Sequence, residues 1–210
     1  MLDTAEVVGS ASMSDSALYY DVVEDDVNYS DRWFLGEPIA SDGTQIDARH
    51  FVEGLRYSDG LKYIGPNPKV VPIDVPGRRV GFLFAAFDMP VVSRAVADIV
   101  ACFGEPDIQR FPVLVDGHVD GYEILNIVSA VDCLDEARCE HVMKWTKNDH
   151  RPELAGKPRM IIGLRINPER AAGKHILRIA NWRIALIVSD ALRSAIEAVP
   201  DLGVRFLPVT

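Results

Sequence analysis

The chain has 210 residues, 48% of them apolar and 25% charged, with a net charge of −9. This is an ordinary globular composition, and the length suits one large domain or two halves sharing a core. No apolar run approaches the roughly 20 residues of a membrane-spanning helix, so no membrane partner is expected.

Residues 1–17 (MLDTAEVVGSASMSDSA) are acidic and lack the basic start and continuous apolar stretch of a secretory signal. They read as a flexible leader before a loop- and strand-rich segment over 18–79 and an α+β core over 80–210. LYYDVVEDDV (18–27) reads as a strand, and NYSDRWFLGEP (28–38) as a loop leading into an extended piece. Trp33 and Phe34 are adjacent, so one points inward and the other outward. Trp33 is expected to be a buried anchor, Gly36 its turn, and Arg32 the partner of a neighbouring acid. A short helix is expected at 48–53, and the prolines and glycines of 55–79 confine that stretch to short strands and turns.

VGFLFAAFD (80–88) reads as a buried strand. MPVVSRAVADIVACFG (89–104) reads as an amphipathic helix with Pro90 at its entrance, serine-capped at Ser93 and ended by Gly104. IQRFPVLV (108–115) and YEILNIVSAVDCL (122–134) are strands across an Asp116-Gly117 turn. DEARCEHVMKW (135–145) fits a helical turn or a hairpin. GKPRMIIGLRINP (156–168) is a strand. HILRIANWRIALIVS (175–189) is another, kinked at Ala180-Asn181. SDALRSAIEAV (189–199) is the second principal helix and GVRFLPV (203–209) the closing strand. Residues 91–113 align without a gap on 187–209, with Val92, Ser93, Ala95, Pro112 and Val113 matched by identical residues. A duplicated helix–strand unit predicts two helices side by side on one sheet. The whole reads as α+β with a mixed, mainly antiparallel sheet and two principal helices.

Charge is strongly polarised. Residues 1–60 hold 13 acids and 3 bases, a balance of −10, whereas 141–183 hold ten bases and three acids, +7. Glu24, Asp25, Asp26, Asp31, Asp132, Asp135 and Glu136 are the candidate partner-facing acids, since an acidic surface steers toward a basic partner. Nucleic acid is the alternative partner for 141–183, through Lys144, Lys147, Arg151, Lys157 and Arg159, but a chain at −9 repels a polyanion at long range. Arg165, Arg178 and Arg183 fall within strand patterns and read as cross-strand partners.

Motifs for chemistry are absent. There is no glycine-rich phosphate loop and no G-x-S-x-G elbow. Cys133, Cys139 and His141 form C-x5-C-x-H without the second pair that structural zinc needs. Cys102, Cys133 and Cys139 are an odd set, which fits reduced thiols in a cytoplasmic protein better than a disulfide framework. No catalytic residue, metal or cofactor is therefore expected.

The words DRWFLGEP, FLFAAFDMPVVS, YEILNIVSAVDCLDEARCE, GLRINP, HILRIANWRIALIVSDALRSAIE and GVRFLPV, in this order over 18–209, resemble a family of bacterial immunity proteins of polymorphic-toxin systems. The family is typified by myxobacterial members and was formerly a domain of unknown function. Arg32, Trp33, Leu35, Gly36, Pro38, Pro90, Asn126, Cys133, Asp135, Trp182 and Ser189 match its pattern, and none of them carries a catalytic role over. The resemblance implies a cytoplasmic, non-enzymatic protein that binds and blocks a cognate toxin domain, such as a nuclease with a basic cleft. The competing expectations are a small hydrolase-type enzyme using scattered Asp, Glu and His, and a regulatory adaptor binding nucleic acid through 141–183.

Overall fold

In the computed structural model, residues 18–54, 68–103, 106, 108–115 and 118–210 are described. The expected leader, residues 55–67 of the stretch punctuated by prolines and glycines over 55–79, Gly104 and the Asp116-Gly117 turn lie outside them. The N-terminal segment supplies β1 (Tyr19–Glu24), β2 (Phe34–Leu35), β3 (Ile39–Ala40), α1 (Arg49–Val52), β4 (Pro68–Val71) and β5 (Ile73–Val75). The middle supplies β6 (Phe82–Ala85), β7 (Met89–Ser93), α2 (Arg94–Cys102), β8 (Ile108–Val115), β9 (His118–Ile127) and β10 (Ala130–Val131). The remainder supplies β11 (His141–Lys144), β12 (Pro158–Ile162), α3 (Pro168–Ala171), β13 (Ile176–Ile179), β14 (Trp182–Ser189), α4 (Asp190–Glu197) and β15 (Val204–Pro208).

Six strands form one sheet in the order β3-β4-β8-β9-β7-β6, and five form another in the order β10-β13-β14-β1-β15. Pairing is antiparallel except for β4 with β8 and β10 with β13. This is the mixed, mainly antiparallel α+β architecture that the patterning implies, with α2 and α4 as its principal helices.

Strand alternation sends neighbouring residues to different cores. Val92 and Leu125 join Val96, Val100, Leu192, Ile196, Leu186 and Val188 in a central core that contains both helices. Val91 and Ile124 point the other way, toward Trp33, Leu35, Phe51 and Val71 of the N-terminal segment. Ile187 and Tyr19 of the second sheet face Cys133, Ile166 and Ala171. Each buried aliphatic or aromatic side chain contributes roughly 1.5–3 kcal/mol of transfer free energy, so the N-terminal segment is an integral wall of the fold.

The internal echo is a structural repeat. In the first unit, β6-β7 is a hairpin, β7 leads into α2, and β9 lies between β7 and β8. In the second, β13-β14 is a hairpin, β14 leads into α4, and β1 lies between β14 and β15. The registers coincide: Ser93 stands opposite Tyr122 and Ser189 opposite Tyr19, while Pro112 faces Glu123 and Pro208 faces Tyr20. The N-terminal strand thus fills, from the other end of the chain, the place that β9 fills in the first unit.

Three expectations are corrected. The two repeat helices share one core, but their strands lie in two sheets. Pro90 is inside β7, opposite Phe84, and not at a helix entrance; the β-branched Val91 and Val92 extend the backbone to Ser93, where the helix starts. Ala180-Asn181 is a hairpin turn between two strands and not a kink within one, because Ile179 pairs with Trp182. The ambiguous 135–145 stretch resolves into a turn followed by β11.

Both helices are capped as expected. Ser93 Oγ accepts from Val96 N at 3.5 Å, and Ser189 Oγ accepts from Leu192 N at 3.3 Å. Replacing either serine with alanine should lower unfolding free energy by about 1 kcal/mol in urea titrations. An unchanged midpoint in both variants would remove capping from the explanation of these helix starts.

Candidate functional site

The hairpin link between β6 and β7 is Ala86-Phe87-Asp88. Phe87 and Asp88 both adopt left-handed backbone, with φ of 57° and 60°. Tight hairpins ask for positive φ and normally meet it with Asn-Gly. Here two side-chain-bearing residues take that role, at roughly 1–2 kcal/mol each. Phe87 is 51% exposed, so its ring gains little burial in exchange. Strain kept at an exposed aromatic is a pointer to use.

What holds the turn is Arg178 of β13, which is fully buried. Its Nη1 donates to the carbonyls of Arg183 (3.0 Å) and Ile184 (2.9 Å) in β14, and its Nη2 donates to the Asp88 carbonyl (3.2 Å). The guanidinium therefore ties the β6-β7 turn of one sheet to the β13-β14 hairpin of the other. Burial lowers the Arg178 pKa, opposed by the charges of Asp88 and Asp21. Burial also pushes the Asp21 carboxyl up to about 7, against the Leu186 backbone amide and Arg178, which favour its ionised form. Asp88 is raised by burial too, and Glu24 adds repulsion.

Around this charged centre lies a cavity of about 350 Å³, lined by Asp21, Glu24, Asp26, Asp88, Phe84 and Trp182, with Arg205 as its cation. A hollow of about 250 Å³ adjoins it through Glu24, Phe84 and Asp88 and adds Phe34 and Phe87. A third, of about 310 Å³, continues past Phe87 and Asp88 to Val52 and Ile184. Asp88 lines all three. Phe34, Phe87 and Ile184 are 44%, 51% and 47% exposed. Two of the aromatics are backed by cations: Arg32 lies 4.9 Å from the Phe34 ring centre and Arg49 lies 5.0 Å from that of Phe87. The result is a cleft of exposed aromatic surface edged by carboxylates around Glu24 and Asp88 and by Arg49 and Arg183 past Phe87, so its carboxylate side suits a cationic group with apolar flanks.

The acids singled out in the sequence have different fates. Glu24 and Asp26 line the cleft while pairing with the buried Arg32, at 2.5 and 2.8 Å. Asp25 turns inward and is only 6% exposed. Its carboxylate accepts from Asn28 N and Nδ2, and the Asn28 amide holds it below the usual carboxylate range. It therefore caps a turn and leaves the partner-facing set. Asp31 pairs with Arg78 at 2.9 Å. Asp132, Asp135 and Glu136 are not brought to this cleft. They lie apart: Asp132 follows Val131 of β10, whose carbonyl accepts from Ala180 N at the β13-β14 hairpin, Asp135 N donates to the Arg165 carbonyl near the Tyr19 end of the five-stranded sheet, and Glu136 pairs with Lys144 at 2.6 Å. Glu24 lies at the opposite end of β1, some 16 Å along at about 3.3 Å per residue.

Most residues of the family pattern are structural. Trp33 is buried against Tyr122, with ring centres 6.0 Å apart, and Phe34 faces out. Gly36 follows β2 without left-handed backbone, and an added Cβ would meet only the exposed Asp74 carboxylate, at 2.7 Å, which can turn aside, so the expected turn requirement for glycine is not found there. Pro38 accepts from Ile46 N. Asn126 is fully buried and donates to Gln109 Oε1 at 3.0 Å. Cys133 is packed in the core, where burial pushes its thiol up to about 11. Trp182 lines the first hollow of the cleft and Leu35 the second. Sequence reasoning missed Asp21 and Asp88 and read Arg178 only as a cross-strand partner, which its bonds to β14 agree with; the available signal was a charge inside each of two apolar strand patterns, YYDVV and ILRI.

Among the described residues, no three His, Cys, Asp or Glu side chains are grouped to hold a metal ion, and no helix is long and apolar enough to cross a membrane. No family model matches the chain, and no curated protein matches it.

The raised Asp21 gives a signed pH dependence. Between the unfolded carboxyl value near 3.8 and the folded value near 7, the folded state holds a proton that the unfolded state has lost. Stability from this group is complete below that window and declines as pH rises through it. Asp21→Asn should flatten the decline and melt above wild type at pH 8 in thermal scans. A wild-type slope retained in the variant would place the titration elsewhere.

Proposed function

We propose that this protein is a cytoplasmic immunity protein, a stoichiometric binder that neutralises a cognate bacterial toxin by taking a basic element of it into the acidic, aromatic cleft. One observation carries the reading: a strained turn clamped by Arg178 presents exposed Phe87 and Asp88 where three hollows meet. Carboxylates attract and orient a cationic partner, and desolvated aromatics supply most of the affinity. The N-terminal balance of −10 supports fast, salt-sensitive capture, and the resemblance of the ordered sequence words to the immunity family supports the partner class.

The deciding experiment co-expresses the chain with the toxic domain encoded beside it. Rescue of growth and a 1:1 complex of the purified pair are the expected results. Failure of rescue with both proteins expressed, or turnover by the purified protein, overturns the reading. A second reading, acid–base chemistry, is favoured only by Asp21, whose pKa near 7 suits proton transfer.

The cleft can be tested without disturbing the fold. Phe87→Gly removes the ring and relieves the left-handed strain, and Asp88→Asn removes the charge while keeping a residue that tolerates that backbone. Each should weaken toxin binding by about tenfold or more, near 1.4 kcal/mol, in titration calorimetry, and Phe87→Gly should do so with no loss of melting temperature. Wild-type affinity in both would exclude this cleft as the toxin site. Asp26→Lys should slow association in low salt and matter less as salt screens the interaction; equal rates would show that charge does not steer the encounter.

A further inference from the structure

The first hollow of the cleft, of about 350 Å³, stands at the small end of the roughly 300–1,000 Å³ of ligand sites. It has room for one side chain and not for a whole strand or helix. Its charges can be counted. Asp21, Glu24, Asp26 and Asp88 line it. Glu24 and Asp26 share one counter-ion, the buried Arg32. Arg178 lies behind the other two, but its hydrogen bonds go to the carbonyls of Asp88, Arg183 and Ile184 and to neither carboxyl. Arg205 of β15 is a third cation, on an exposed residue. Four carboxyls thus meet three guanidiniums, and among the described residues neither Asp21 nor Asp88 stands in an ion pair.

The walls add a second constraint. Phe84 and Trp182 line the same hollow, and the exposed Phe34 and Phe87 line the one that adjoins it. A small amine would engage the carboxyls and leave those outer rings in water. A metal ion lacks a third grouped ligand, and a second copy of a chain at −9 is repelled.

We infer that this hollow is the seat of a single arginine side chain of the partner, received by the Asp21 and Asp88 carboxyls with its guanidinium against Trp182. A planar fork bonds carboxyls from two elements while its face stacks on an indole, which the point charge of lysine does not do. The inference deepens the proposed function and rests on that reading for the partner being a protein. It also makes the seat sensitive to protons. Asp21 is faced by Asp88 from the β6-β7 turn, Arg178 from β13, Arg205 from β15 and Glu24 of its own strand, whereas Arg183 of β14 donates to the Glu53 carbonyl. Burial holds the Asp21 carboxyl up at about 7. Its charge therefore appears as pH rises through neutrality, and an arginine seated there displaces the proton.

The test titrates two end-blocked tripeptides, Phe-Arg-Phe and Phe-citrulline-Phe, into the full chain in low salt, followed by NMR at the Trp182 indole N–H. Citrulline keeps the shape of arginine and loses its charge. The arginine peptide should bind at least about tenfold more tightly, and its affinity should rise by up to about tenfold from pH 6 to pH 8 as Asp21 ionises. Asp21→Asn should weaken binding at pH 8 and lessen that rise, and Asp88→Asn should weaken binding at both pH values. Equal affinity for the two peptides overturns the inference. So do wild-type binding indifferent to pH, binding that leaves the Trp182 indole unmoved or is unchanged in both variants, and the absence of binding up to the solubility of the peptide. Peptide binding with failed rescue from the toxin would sink the immunity reading alone, and rescue without peptide binding would sink the arginine seat alone.

Discussion

The fold is organised around one buried cation. Taking a guanidinium out of water carries a penalty of several kcal/mol unless hydrogen bonds and opposite charge replace its hydration. Arg178 meets much of that demand with carbonyls from two separate hairpins and with the nearby Asp21 and Asp88 carboxyls, while its Nε is buried without a hydrogen-bond partner. The same contacts therefore neutralise the cation, join the two sheets, and hold Phe87 and Asp88 in a conformation they would not adopt alone. The cleft follows from how that charge is satisfied.

A second buried arginine repeats the logic at the edge. Arg32 is 2% exposed and is answered by Glu24 and Asp26, while its guanidinium backs the exposed Phe34 ring. The acids that give the cleft its sign are thus also counter-ions of the fold. This explains how a dense acidic run can be held at the end of a strand without its own repulsion unravelling it. It also couples recognition to architecture, since β1 carries Asp21 and Glu24 and completes the second repeat unit between β14 and β15.

Local chemistry was readable in the sequence wherever one residue type has one dominant use. Ser93 and Ser189 announced helix starts, and the adjacency of Trp33 and Phe34 announced one inward and one outward ring. The repeat was visible as five identities, yet its arrangement was hidden, because strand β1 comes from 160 residues away in the chain and no local pattern records that. Ala180-Asn181 lacks the glycine that usually marks a two-residue hairpin, and Pro90 looked like a helix entrance because the sequence around it is apolar at helical spacing. Of the candidate site, Glu24, Asp26 and Trp182 were legible as types; Asp25 looked identical to its neighbours until the Asn28 turn drew it inward. Arg178 was legible as a cross-strand partner, but its meeting with Asp21 and Asp88 was not, because that depends on proximity across two sheets.

The most direct measurement is an amide hydrogen-exchange footprint of the full chain, alone and with the cognate toxin domain proposed as its partner. Clamping of a basic element in the cleft predicts added protection concentrated in Tyr19–Asp26, Phe82–Ser93 and Trp182–Ala185. Protection confined to other surfaces, with these three segments exchanging as in the free protein, would contradict it.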